Sequence, residues 1–252
     1  MSDDAGRDWS GYLRVFHSAQ PGITEQVLRH ARDEGRDPYD WLIEALPGEG
    51  RMLDLAGGNG AFTVRLPETA TAVLLDTSPA ELADAHRRGV RQVVRADATA
   101  VPIAEASIDA VACSMALMLV PLGSALTEIR RVLEPGGLLV ATVPATGPLT
   151  AGDVWHYTRL LLALRCTHLS YPNDRALAEP ESLLSRAGLT VVDDQRRRFV
   201  CHIETPAVGR MLFDSLYLPD CAPRRLAAGR RVAEGWTGTH LGIPARRLIA
   251  RT

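Results

Sequence analysis

Lysine is absent from this chain: all 28 of its Lys and Arg positions are arginine. Schiff-base, pyridoxal-phosphate and lysine-nucleophile chemistry are thereby excluded, as is the phosphate-gripping lysine of a Walker loop. Cysteine is scarce. Cys113, Cys166, Cys201 and Cys221 are far apart, with no C-x-x-C pair and no histidine at ligand spacing beside them. That pattern argues against a metal site and offers no disulfide framework, so buried, reduced thiols are expected. Excess positive charge is missing too. With a formal net charge of -2, no global field recruits nucleic acid or an anionic membrane, although local patches remain open. No apolar run approaches bilayer length, and the opening MSDDAGRDW carries acids where a secretory signal carries bases. A soluble, cytoplasmic protein without a membrane partner is the expectation.

What is present is enough chain, 252 residues, for a single domain with one good core. Residues 8–46 read as helical pieces interrupted by Pro21 and Pro38, with Gly35 placed as a C-cap of the middle one. From Arg51 the texture changes to short apolar runs, RMLDLA, TAVLLD, VRQVVRAD, SIDAVACSM and GLLVATVP, separated by stretches of helical spacing. This alternation predicts a parallel sheet with helices on both faces. Later segments read as a helix over 153–166, a loop THLSYPNDRA and a helix EPESLLSRAG. A strand around 189–203, helices near 206–217 and 223–235, and a closing strand IPARRLIAR complete the chain. The division expected is a helical cap over 1–48, a core over 49–145, and covering segments with the last strands over 146–252.

The stretch MLDLAGGNGAF at 52–62 ends an apolar run in an acid and then a cluster of glycines. Such a cluster makes a turn to which another molecule's atoms can come close. A dinucleotide site wants G-x-G-x-x-G, and here Gly58-x-Gly60 is followed by Ala61, Phe62 and Thr63, so the third glycine is missing.

Asp54-Leu-Ala56-Gly57-Gly58-Asn-Gly60 resembles instead the first motif of class I methyltransferases that use S-adenosylmethionine (SAM), although that family more often has glycine where Ala56 stands. Further acids support the likeness. Asp76 closes the second apolar run, where a carboxylate can accept from both ribose hydroxyls, and Asp97-Ala98 resembles the family's adenine-recognising pair. ALTEIRRVLEPGGLLVATVP also resembles a family signature, a structural one with Pro135-Gly136-Gly137 as the turn. The likeness implies an α/β, Rossmann-like sheet of seven mostly parallel strands with an N-terminal helical cap, the last strand, IPARRLIAR, running antiparallel. It also implies SAM as cofactor, held by Asp54, Ala56, Gly58, Gly60, Asp76, Thr77, Asp97, Ala98 and Ser114.

Methyl transfer from a sulfonium mainly requires in-line placement of the acceptor and exclusion of water. A base is needed only where the acceptor must lose a proton. His156 and His17 are the candidate bases, since imidazole suits proton abstraction near neutral pH. Tyr12, Phe16, Met115, Trp155, Tyr157 and Tyr217 are the candidate acceptor contacts, in segments outside the core sheet. After the fourth apolar run the chain reads CSMALMLVP, without the Pro-Pro-aromatic element of amino-directed nucleic-acid methyltransferases. Ser114, Met115 and Leu117 would give an apolar mouth suited to a small apolar or aromatic acceptor of specialised metabolism. Arginine doublets such as Arg224-Arg225 and Arg230-Arg231 keep an RNA substrate as an alternative. A SAM-binding protein that transfers no methyl is another.

Overall fold

The computed structural model describes residues 8–252; the first part of the expected cap, residues 1–7, lies outside the described residues. Helices α1 (Trp9–Ala19), α2 (Ile23–His30) and α3 (Pro38–Ile43) lead in, with a two-residue strand β1 (Ala31–Arg32) between the last two. The core then alternates: β2 (Gly50–Leu55), β3 (Ala70–Asp76), α4 (Pro79–Arg87), β4 (Val93–Arg95), β5 (Ile108–Ser114), α5 (Leu122–Val132) and β6 (Leu133–Pro144). After it come α6 (Ala151–Leu164), α7 (Asp174–Leu177), α8 (Pro180–Arg186), β7 (Thr190–Ile203), α9 (Pro206–Asp214), α10 (Pro223–Glu234) and β8 (Thr239–Arg251).

All strands join one eight-stranded sheet in the order β1-β7-β8-β6-β5-β2-β3-β4. Pairs from β6 through β4 are parallel, and β8 runs antiparallel to both β6 and β7. The expected seven strands with an antiparallel last one are therefore present. The count is corrected by β1, which pairs antiparallel with β7 through Ala31↔Cys201 and Arg32↔Val200. The expected helix through to Gly35 ends instead at His30, because this tertiary pairing claims the next two residues and local propensity yields to it.

Both faces of the sheet are covered. Adjacent β3 residues show this: Leu75 packs in the main core with Leu53, Phe62 and Ile129, whereas Leu74 packs in a separate cluster with Leu82, Ala85 and Val90. Successive strand side chains point to opposite faces, so two clusters at neighbouring residues mean two covered faces. The switch in strand order falls between β5 and β2, and the crevice beyond the carboxyl ends there is where such sheets bind ligands.

Strands β7 and β8 continue past the end of β6, since β8 pairs with β6 from Ala245 onward but with β7 from Thr239. On this projecting hairpin α6, α9 and α10 build a second core from Leu160, Leu164, Cys201, Phe213, Trp236 and Leu241. Asp153 pins α6 to it. Its fully buried carboxylate accepts from Arg198 Nε at 2.7 Å and from the N–H of Gly242 at 2.6 Å, while completing a capping box with Thr150. Burial alone would raise that carboxyl, but Arg198 and the N–H groups of Thr150 and Gly242 hold it well below the usual range.

Candidate active site

Parallel pairing puts the ends of β2, β3 and β5 side by side: Asp54 sits opposite Leu74 on one flank and Ala112 on the other. The chain leaves β2 in a turn of positive φ, with Ala56 at 54°, Gly58 at 55° and Gly60 at 73°. Gly57 donates its N–H to Leu75 O at 3.1 Å, which draws the turn over the end of β3. A Cβ on Gly57 would lie 2.3 Å from the Asp54 carboxyl carbon, and one on Gly60 would lie 2.7 Å from Val90 Cγ2. Close approach requires both glycines, and positive φ is a second requirement at Gly60 alone.

Asp76 is bound to this turn. Its carboxylate accepts from Gly58 N at 2.9 Å and from Ser78 N at 2.8 Å. Burial raises its carboxyl above the ordinary range, and the two N–H groups pull the other way. Asp54 lies beneath, buried, accepting from Thr63 Oγ1 at 2.5 Å, and burial pushes its carboxyl up to about 7. Asp97 Oδ1 accepts from both the N–H and the hydroxyl of Thr99, an Asx turn that fixes the carboxylate at the rim.

A cavity of about 350 Å³ opens above these groups. Its walls include Ala56, Asp76, Thr77, Asp97 and Ala98, so five of the expected cofactor residues meet there. Asp54, Gly58, Gly60 and Ser114 support the turn and floor and do not line it. Ser114 has its hydroxyl 3.1 Å from that of Thr142, and the adjacent Met115 takes a φ of 54° while donating its N–H to Thr142 O. Trp9, Ser10 and Leu13 of α1 close one side, and Pro172 and Asn173 another. Asn173 Nδ2 donates to Leu117 O and Val120 O, both at 2.7 Å, which ties the loop after α6 to the end of β5.

One turn beyond Leu13 on α1 is His17, with Nδ1 3.2 Å from Glu81 Oε1 and Nε2 3.3 Å from the Tyr217 hydroxyl. Glu81 also accepts from Gly22 N at 3.0 Å. A carboxylate accepts from Nδ1–H, and in the neutral imidazole Nε2 is then the nitrogen that accepts from the phenol. Around the pair stand Tyr12, Phe16 and Tyr217, with Phe16 and Tyr217 ring centroids 4.8 Å apart. Tyr171 meets Tyr217 edge-on at 6.2 Å, and Tyr12 accepts from Leu218 N at 2.9 Å.

Three expected site residues are corrected. His156 rests edge-on against Trp236 at 6.0 Å in the second core, not against the glycine turn. Tyr157 donates its hydroxyl to Gly242 O at 2.8 Å there. Trp155 points outward, 61% exposed. Helical spacing groups the three on α6 without saying which way the helix faces. Glu81, Tyr171 and Asn173 were not anticipated. Glu81 reads in sequence as the third residue of a Ser-capped helix, which hides its reach to His17.

The order of the seven main strands, the antiparallel β8 and the acid-glycine turn beneath the cavity define a class I methyltransferase fold. Residues 53–141 match the methyltransferase domain family, the stretch that holds the acid-glycine turn and the central strands of that fold. A methyltransferase of Mycobacterium tuberculosis with no characterised activity is 36% identical over 116 residues, 43% of this chain and 47% of that one. The demethylmenaquinone methyltransferase of Beutenbergia cavernae is 40% identical over 109 residues, 42% of this chain and 45% of that one. The chain thus spans about half the length of the curated relatives it matches. A SAM-dependent methyltransferase from Thermotoga maritima shares the fold at a TM-score of 0.55 and 16% identity, covering 96% of this chain and 98% of that one.

Proposed function

We propose that the protein transfers the methyl group of SAM to a small apolar or aromatic acceptor, most simply a ring bearing an ionisable hydroxyl. The observation that carries this reading is the cavity wall itself. Asp76 and Asp97 line it together with two small residues, Ala56 and Ala98, which suits a ribose and an adenine amine approached by close backbone. SAM carries no phosphate, which agrees with acids where a nucleotide site would place cations.

Bound there, SAM supplies a methyl group already activated on a sulfonium. The protein's task is placement. Trp9 and Leu13 of α1, with the loop at Pro172-Asn173, exclude water from the cleft. The ring cluster of Tyr12, Phe16, Tyr171 and Tyr217 offers flat apolar faces beside it. His17 Nε2 takes the acceptor's proton, directly or through the Tyr217 hydroxyl, and Glu81 stabilises the resulting imidazolium through Nδ1–H. The demethylmenaquinone relative, a methyltransferase named for a quinone, favours a ring acceptor of this kind.

Incubation with methyl-labelled SAM and a panel of hydroquinones, phenols and unstructured RNA tests the reading. Label in a small aromatic product is expected. SAM binding with no S-adenosylhomocysteine formed from any acceptor would favour a protein that transfers no methyl, and label only in RNA would overturn the acceptor class.

A further inference from the structure

Outside the cleft, α6 presents an outer face that is left uncovered among the described residues. Leu160 and Leu164 turn inward and are buried, while Val154, Trp155 and Leu162 are 50%, 61% and 71% exposed. At 3.6 residues per turn these three share one side with Arg159 and the C-capping Arg165. The guanidinium of Arg159 lies 5.9 Å from the Trp155 ring centre. The only acid of the helix, Asp153, is buried on the opposite side and bonded to Arg198. The exposed side is therefore apolar and cationic with no anion of its own.

We propose that this face of α6 docks on an anionic lipid bilayer. A helix of this pattern lies in the interface plane, with its apolar side chains at the acyl boundary and its cations among the headgroups. Tryptophan is the residue most at home at that depth. A second copy of the chain is a poorer occupant, because a two-fold contact meets the same patch and brings cations to cations. The net charge of -2 gives no global attraction, so binding is local, and the sequence expectation of no membrane partner is revised at this one face. Docking does not depend on the identity of the acceptor, although an apolar acceptor would be drawn from the same bilayer.

Co-sedimentation of the full chain with phosphatidylcholine vesicles, with and without phosphatidylglycerol, tests the proposal. Binding to the anionic vesicles is expected, weakening as salt is raised. Trp155→Glu with Leu162→Glu, and separately Arg159→Gln with Arg165→Gln, should each weaken it roughly tenfold, with thermal midpoints kept. Failure of the wild type to bind anionic vesicles, or binding indifferent to both double variants, would overturn it. So would a dimer, seen by light scattering in the absence of vesicle binding, that the Trp155 and Leu162 changes dissociate.

Discussion

Gly58 donates its backbone N–H to Asp76 at 2.9 Å, so the glycine turn and the carboxylate at the next strand end fix one another. Neither can shift alone, and the cleft wall is set before any ligand arrives.

Ala56 holds a φ of 54°, a region that costs a Cβ-bearing residue and that glycine occupies freely. Ala56→Gly should stabilise the protein by about 0.5 to 1 kcal/mol. Gly60→Ala, with a φ of 73° and its Cβ 2.7 Å from Val90 Cγ2, should destabilise by about 1 to 3 kcal/mol. Paired denaturant titrations check the opposite signs.

If His17 accepts the acceptor's proton, His17→Ala should lower kcat by about 10²- to 10⁴-fold while leaving SAM affinity unchanged. Glu81→Gln keeps a side chain that accepts from Nδ1–H but removes its charge. Its smaller loss should come with a displaced pH-rate profile, which mere loosening of the helix packing would not produce.

Asp54 titrates near 7 in the folded protein against an ordinary value of 3.8, because burial disfavours its charge. The folded state then holds a proton that the unfolded state has released, so this group's stabilisation is complete below the lower value and is lost as pH rises through about 7. Asp54→Asn should remove that decline. Thermal midpoints of both proteins measured from pH 4 to 8 would show wild type falling relative to the variant.

Asp153 behaves in the opposite sense. Held below the usual carboxylate range, it stabilises above its unfolded value and loses that contribution as pH falls. Asp153→Ala strands the Arg198 guanidinium and the Gly242 N–H, and should cost about 3 to 5 kcal/mol. Chemical denaturation at pH 7 measures the loss, and the gap to wild type should narrow in acid.

The acid-glycine half of the cleft was readable because its pattern is local. An acid at a strand end, glycines at forced φ and a second acid one strand on each leave a trace in consecutive residues. The aromatic cluster is assembled from α1, the Tyr171 loop and the segment at Tyr217, which meet only in space. His17 and Tyr217, 200 positions apart, are 3.3 Å from each other, and no spacing rule links them. Trp155, His156 and Tyr157 failed as a group because adjacent residues on a helix face different ways: one to solvent, one to Trp236, one to Gly242. Strand β1 was missed because two residues carry no period, and its pairing with β7 is wholly tertiary.

Calorimetric titration of SAM into the wild type and into Asp76→Ala tests the central claim most directly. Single-site binding to the wild type is predicted, weakened in the variant by about 1.5 to 3 kcal/mol through loss of a charged hydrogen-bond acceptor. Equal affinity in the two proteins, or no heat of binding in the wild type, would contradict it.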